Sequence, residues 1–165
     1  IIILFFVCLI LIFLKVIAKI LFAKEFFIAW KYVPFLLLAI LFGALSGFLG
    51  SIYAANKDSK MYAKSTAVGA IANIALNFSL IPNFGAQGAA IATCISYITV
   101  WILRLVFMKK YIVLDINLKK DLFSYLLILV MCICIICFRT LIAQVISISI
   151  LILSLIHISE PTRPY

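Results

Sequence analysis

Apolar runs of roughly 20 residues follow one another along this chain, with only short polar stretches between them. A run of that length matches the hydrocarbon thickness of a bilayer when it is helical. Of the 165 residues, 68% are hydrophobic and 12% charged, and the mean hydropathy is +1.35. A soluble chain of this size exposes too much of its surface to hide so many apolar side chains. None of the runs alternates with period two, which argues against an outer-membrane barrel. Helices satisfy their own backbone hydrogen bonds in lipid. The expected fold is therefore an all-α membrane protein, a bundle of about six transmembrane helices, with no room for a separate soluble domain.

Six segments carry the pattern: Ile1 to about Phe22, Val33 to Ala55, about Ser65 to Ile81, Ala86 to Met108, Leu122 to Phe138, and one starting near Leu141. Pro34 suits the first turn of the second segment, where a missing N–H costs little. Asn56 to Lys60 form a polar connection, Pro82 to Gly85 a tight uncharged turn, and Lys109 to Asp121 the longest charged loop. Trp30, Tyr32, Tyr53, Tyr62, Trp101 and Tyr111 lie near segment ends, as in an interfacial aromatic belt.

The formal charge of +9 comes from cations set between apolar runs rather than in a polar tract, so anionic headgroups are the expected contact and nucleic acid is not. Lys57, Lys60, Lys64, Lys109, Lys110, Lys119 and Lys120 fall on the second and fourth loops, which should face the cytoplasm. The chain is expected in the cytoplasmic membrane as a multi-pass protein. It begins inside an apolar run without Met, which reads as a truncated start. Residues 153–165 include LSLIHISEPTR, which resembles a translated sequencing adapter, so residues 1–152 are taken as the protein proper.

Enzyme constellations are missing. Outside that tail the acids are Glu25, Asp58, Asp115 and Asp121, all expected in loops, and the lone His157 lies in the tail. No carboxylate pair shares a helix face for acid–base work. Cys8, Cys94, Cys132, Cys134 and Cys137 lie inside apolar runs and read as small apolar residues, not ligands, so neither metal nor cofactor is expected. A transporter or scaffold outranks an enzyme.

Polar groups inside the runs are expensive in lipid and mark functional candidates. Lys15 and Lys19 are four apart, on one helix face, and could form a cationic patch for an anionic substrate, or snorkel to the interface. Asn73 and Asn77, also four apart, could line a polar cavity or tie helices together. Gly43, Gly47 and Gly50, with Ser46, make a small-residue stripe for close helix packing, and Gly85 and Gly88 let the fourth helix start against its neighbour. Arg104 reads as interfacial, and Arg139 either as interfacial or as guarding an outer cavity mouth.

Several of these pieces occur in a recognisable order. Phe22, Lys24, Glu25, Phe26 and Ala29 precede Trp30, Tyr32, Val33 and Pro34; Leu49 to Tyr53 lead to Lys57; Gly69, Ala70, Asn73, Leu76 and Asn77 follow; then comes IPNFGAQGAAIAT, from Ile81 to Thr93. Over Phe22 to about Tyr111 the chain resembles the bacterial oligosaccharide and polysaccharide flippases of the multidrug/oligosaccharidyl-lipid/polysaccharide exporter superfamily. Ala23 replaces a frequent Gly of that family, and Ala86 a larger aliphatic residue. The resemblance implies two six-helix lobes around a central cavity, this chain being most of the C-terminal lobe and an N-terminal lobe of the same polypeptide its partner. It also implies translocation of an undecaprenyl-diphosphate-type lipid-linked oligosaccharide across the cytoplasmic membrane for polysaccharide export. A multidrug or lipid-precursor exporter of the same superfamily, or a non-transporting membrane subunit, is the alternative.

Overall fold

The computed structural model describes residues 2–108, and these are helical almost throughout. Helix α1 spans Ile2–Leu21, a 3-10 helix spans Lys24–Lys31, α2 spans Val33–Ala55, and α3 spans Ser59–Met108. The fifth and sixth apolar segments, the loop from Lys109 to Asp121, Tyr111, Arg139 and the tail lie outside the described residues. Helix α1 belongs to one compact unit, and α2 with α3 to a second.

Helix α1 buries Val7, Leu11, Leu14 and Ala18, which recur at helical spacing on one face. Its other faces are just as apolar, with Phe6, Phe13, Val16 and Ile20 exposed. The stretch after it, expected as a loop, winds into the 3-10 helix, and Trp30 within it is buried rather than set in an outer belt. An indole there still presents a ring face to a neighbouring cation, as described below.

The second unit is a helical bundle with a sharp corner. Helix α2 starts with Pro at its first turn, where no intrahelical N–H is lost. It ends in a Schellman motif: the Asp58 N–H donates to the Tyr53 carbonyl at 3.0 Å and the Lys57 N–H to the Ala54 carbonyl at 3.0 Å. Lys57 takes the left-handed position, φ +57°, that glycine usually fills. Asp58 then caps α3 by accepting the Met61 N–H at 3.1 Å. Three residues thus close one helix and open the next.

Helix α3 is broken at Gly85, whose φ of 55° and ψ of −134° no side-chain-bearing residue adopts cheaply. The turn expected over Pro82 to Gly85 contracts onto that glycine. Pro82 stays helical, and the missing donor falls where the hydrogen-bond ladder is about to end. The limbs, residues 59–84 and 86–108, fold back on each other. Arg104 meets Ser65, Val100 packs on Gly69, and a Cβ on Gly88 would stand 2.5 Å from the Leu80 carbonyl oxygen. Sequence positions rise on one limb as they fall on the other, which defines an antiparallel hairpin.

Small residues make the close approach possible. Gly88, Ala92, Ser96, Val100, Arg104 and Met108 recur every four residues and are all buried. They form one ridge along the second limb. Against it lie Ser65 and Gly69 of the first limb, while Leu49 and Tyr53 of α2 pack on Met108. The outward faces carry Ile40, Phe48, Ile71, Phe78 and Ile102, with Phe78 80% exposed.

Candidate functional site

The inside of the second unit is where its polar chemistry collects. Gly43, Ser46, Tyr62, Thr66, Asn73, Ser96, Tyr97 and Arg104 are among the residues lining a cavity of about 460 Å³ between α2 and the two limbs of α3. Volumes of this order hold small organic ligands. Gly43 keeps the wall thin on the α2 side, since a Cβ there would come to 3.3 Å from the Tyr97 ring. Gly50 has no room for one at all, because it would meet Tyr62 at 2.6 Å and the Arg104 guanidinium at 3.0 Å.

Arg104 dominates the site. Expected at the interface, it is packed inside the bundle, with only 4% of it exposed. The guanidinium is held from three directions. Nε donates to Ser65 Oγ at 3.0 Å, Nη1 to the Ser46 carbonyl at 2.6 Å, and Nη2 to Thr66 Oγ1 at 2.9 Å. Its Cζ lies 4.3 Å from the centroid of the Tyr62 ring. A cation over an aromatic face away from water is worth about 2 kcal/mol. Its own backbone carbonyl accepts the Tyr53 hydroxyl at 2.7 Å, and Tyr53 is fully buried. Ser65 and Thr66 pass their own protons to the Tyr62 carbonyl, which leaves their oxygens as acceptors for the guanidinium. One arginine therefore ties α2 to both limbs of α3.

The residues singled out in the sequence fall in several places. Asn77 donates to Asn73 Oδ1 at 2.9 Å along the same limb. Asn73 lines the main cavity, and Asn77 lines a second, apolar groove of about 370 Å³ with Ile74, Phe78, Ile81 and Pro82. Gly43, Gly50 and Gly88 stand at close approaches, whereas a Cβ on Gly47 would meet nothing within 4 Å. Gly85 likewise faces open space and acts through its backbone conformation. In the other unit Lys15 is half-buried, with its ammonium 5.1 Å from the centroid of Trp30, while Lys19 is exposed. Cys94 is buried with a free thiol. Among the described residues no group of His, Cys, Asp and Glu could hold a metal ion.

Thr66, Ser96 and Tyr97 were not singled out in the sequence, and Tyr62 and Arg104 were read there only as interfacial. A signal existed for Arg104: it stands on the same every-fourth-residue ridge as Gly88, Ala92, Ser96 and Val100. A cation on a small-residue packing ridge is placed to be buried.

Apolar side chains outside and an arginine with hydroxyls inside are the arrangement of a helical membrane protein, not of a domain folded in water. Both α2 and α3 are long and apolar enough to cross a bilayer. The model of the lipid II flippase MurJ family matches residues 1–157, and the chain belongs to that family. No curated protein and no solved structure matches it. The family is one of lipid-linked precursor flippases of the cytoplasmic membrane, within the multidrug/oligosaccharidyl-lipid/polysaccharide exporter superfamily.

Proposed function

We propose that this chain is most of one lobe of a two-lobed flippase that carries an undecaprenyl-diphosphate-type lipid-linked glycan from the inner to the outer leaflet. The family match over residues 1–157 carries the reading. It favours a peptidoglycan precursor, the lipid II of the family's name, over an oligosaccharide destined for polysaccharide export. The wider sequence likeness to polysaccharide flippases keeps the second substrate as the alternative. A multi-pass bundle of about six helices is the lobe this reading requires. Helix α2 and the two limbs of α3 support this reading, each being long enough at roughly 1.5 Å per residue to cross a core of about 30 Å.

The chemistry supports transport rather than catalysis. Glu25 and Asp58 are the acids among the described residues, one in the 3-10 helix and one capping α3, and neither lines the cavity. Cations without carboxylates suit an anionic diphosphate. Lys15 and Lys19 are the proposed cationic patch for it. Two lobes opening alternately would pass the headgroup without dragging the glycan through lipid. An N-terminal lobe would supply the other cavity wall.

Complementation separates the two substrates. The full-length gene should rescue growth of a strain depleted of its own lipid II flippase, with peptidoglycan synthesis restored. Rescue confined to a strain lacking a polysaccharide flippase would assign the export oligosaccharide instead. Rescue of neither would reject the flippase reading.

A further inference from the structure

We propose that the cavity between α2 and the limbs of α3 is a binding site for a phosphate-class oxyanion, with Arg104 as its charged end. The Lys15 and Lys19 patch belongs to the other unit and is no part of this site.

The first observation is a buried charge without an opposite charge. Arg104 is nine-tenths or more buried, and among the described residues its partners are two hydroxyls, a carbonyl and an aromatic ring. These are neutral groups. A guanidinium taken out of water costs much more than such partners return, unless an anion completes the site.

The second observation is an excess of donors. A guanidinium has five N–H groups, and three are used, so two remain on a side chain that lines the cavity. The Asn73 oxygen is occupied by Asn77, but its amide NH₂ makes no hydrogen bond among the described residues. The hydroxyls of Tyr62 and Tyr97 are in the same position, and both residues line the cavity. Ser46, Thr66, Thr93 and Ser96 have already given their protons to carbonyls of their own helices. The oxygens of Ser46, Thr93 and Ser96 remain acceptors, but the protons still free in the lining, on Arg104, Asn73, Tyr62 and Tyr97, and its one positive charge are what an anion would meet.

Geometry selects the kind of anion. Arg104 is level with Thr66 on the first limb, and Asn73 lies seven residues further along that limb, roughly 10 Å at the rise of a helix. A tetrahedral oxyanion has several acceptor oxygens, fits the two spare N–H groups of one guanidinium, and leaves oxygens for the tyrosines. The 460 Å³ leave space for a diphosphate as well as a monophosphate. The phosphate could be free or part of a lipid headgroup. Only the second source rests on the flippase reading.

The test uses the full-length transporter in lipid nanodiscs. Titration calorimetry with inorganic phosphate and with pyrophosphate, at constant ionic strength held by gluconate, should show saturable binding. Arg104→Gln should weaken it tenfold or more. Because Arg104 also ties the helices together, that variant could fail to fold. Tyr62→Phe and Tyr97→Phe remove hydroxyls that make no hydrogen bond among the described residues, keep the ring that Arg104 lies over, and should weaken binding several-fold while leaving the unliganded melting temperature unchanged. No saturable binding to the wild type overturns the proposal. So does an unchanged affinity in both of those variants, or chloride competing as strongly as phosphate. A second arm adds undecaprenyl diphosphate to the nanodiscs. Displacement of phosphate by that lipid identifies the headgroup as the occupant, whereas independent phosphate binding keeps the site and assigns it to the free ion, whether or not the protein is a flippase.

Discussion

Lys57 does in this fold what a glycine usually does. It sits at φ +57° directly after α2, with both Schellman hydrogen bonds closed around it. A side chain in that conformation crowds the following carbonyl at about 1–2 kcal/mol, which glycine avoids. The sequence offers a reason for keeping it. Lys57, with Lys60 and Lys64, is one of the cations that set the expected cytoplasmic side of this loop. Local strain is then accepted in exchange for orientation. Lys57→Gly should raise the stability of the second unit by about 0.5–1 kcal/mol, the usual gain when strain is relieved at a helix terminus, net of glycine's entropy. Thermal denaturation in detergent measures it. A fall in melting temperature would mean that the ammonium is tied to a partner that outweighs the strain.

At the scale of elements, glycines with the same spacing play different parts. Gly47 and Gly50 both belong to the small-residue stripe of α2, yet a Cβ on Gly47 meets nothing, and one on Gly50 collides with Tyr62 and Arg104. On α3, Gly69 is pressed against Val100. Gly69→Ala should therefore cost about 1–3 kcal/mol by overpacking the hairpin, and Val100→Ala in the same chain should recover part of it. Gly47→Ala should be neutral or slightly stabilising. Melting temperatures of the three variants decide it, and an equal cost at Gly47 and Gly69 would sink the account. The contrast also shows what sequence could and could not give. The limits of α2 and the Gly85 corner were legible, because hydropathy, Pro34 and the turn residues act locally. Which glycine of a stripe touches a neighbour depends on the crossing of two helices, and that is set by the partner's side chains. For the same reason Arg104 read as interfacial. Its distance from the segment end is local information, while Ser46, Ser65 and Thr66 reach it from parts of the chain 38 to 58 residues away.

For the whole molecule, the question is which cations serve transport and which serve architecture. Arg104 shows that one buried cation can hold helices together and still line a cavity with N–H groups to spare. Lys15 and Lys19 divide differently. Lys15 is half-buried with its ammonium over Trp30, which holds the end of the 3-10 helix against α1, whereas Lys19 is exposed. A pair that only snorkels would tolerate neutral polar replacements, because a glutamine at a helix end is solvated almost as well. A pair that receives a diphosphate would not, because the charge itself is the contact. Lys15→Gln with Lys19→Gln in the full-length protein should cut complementation of a flippase-depleted strain at least tenfold, with membrane levels of the protein unchanged. Lys15→Arg with Lys19→Arg should retain most of it, since arginine keeps both the charge and the stacking over Trp30. The single variants then apportion the effect. If only Lys15→Gln matters, and thermal stability falls with it, the Trp30 contact is the cause and the lysine is architectural. If Lys19→Gln alone reduces complementation at unchanged stability, the exposed ammonium is the one that meets substrate. Full activity of the double glutamine variant removes the patch from the mechanism and leaves Arg104 as the cation to pursue.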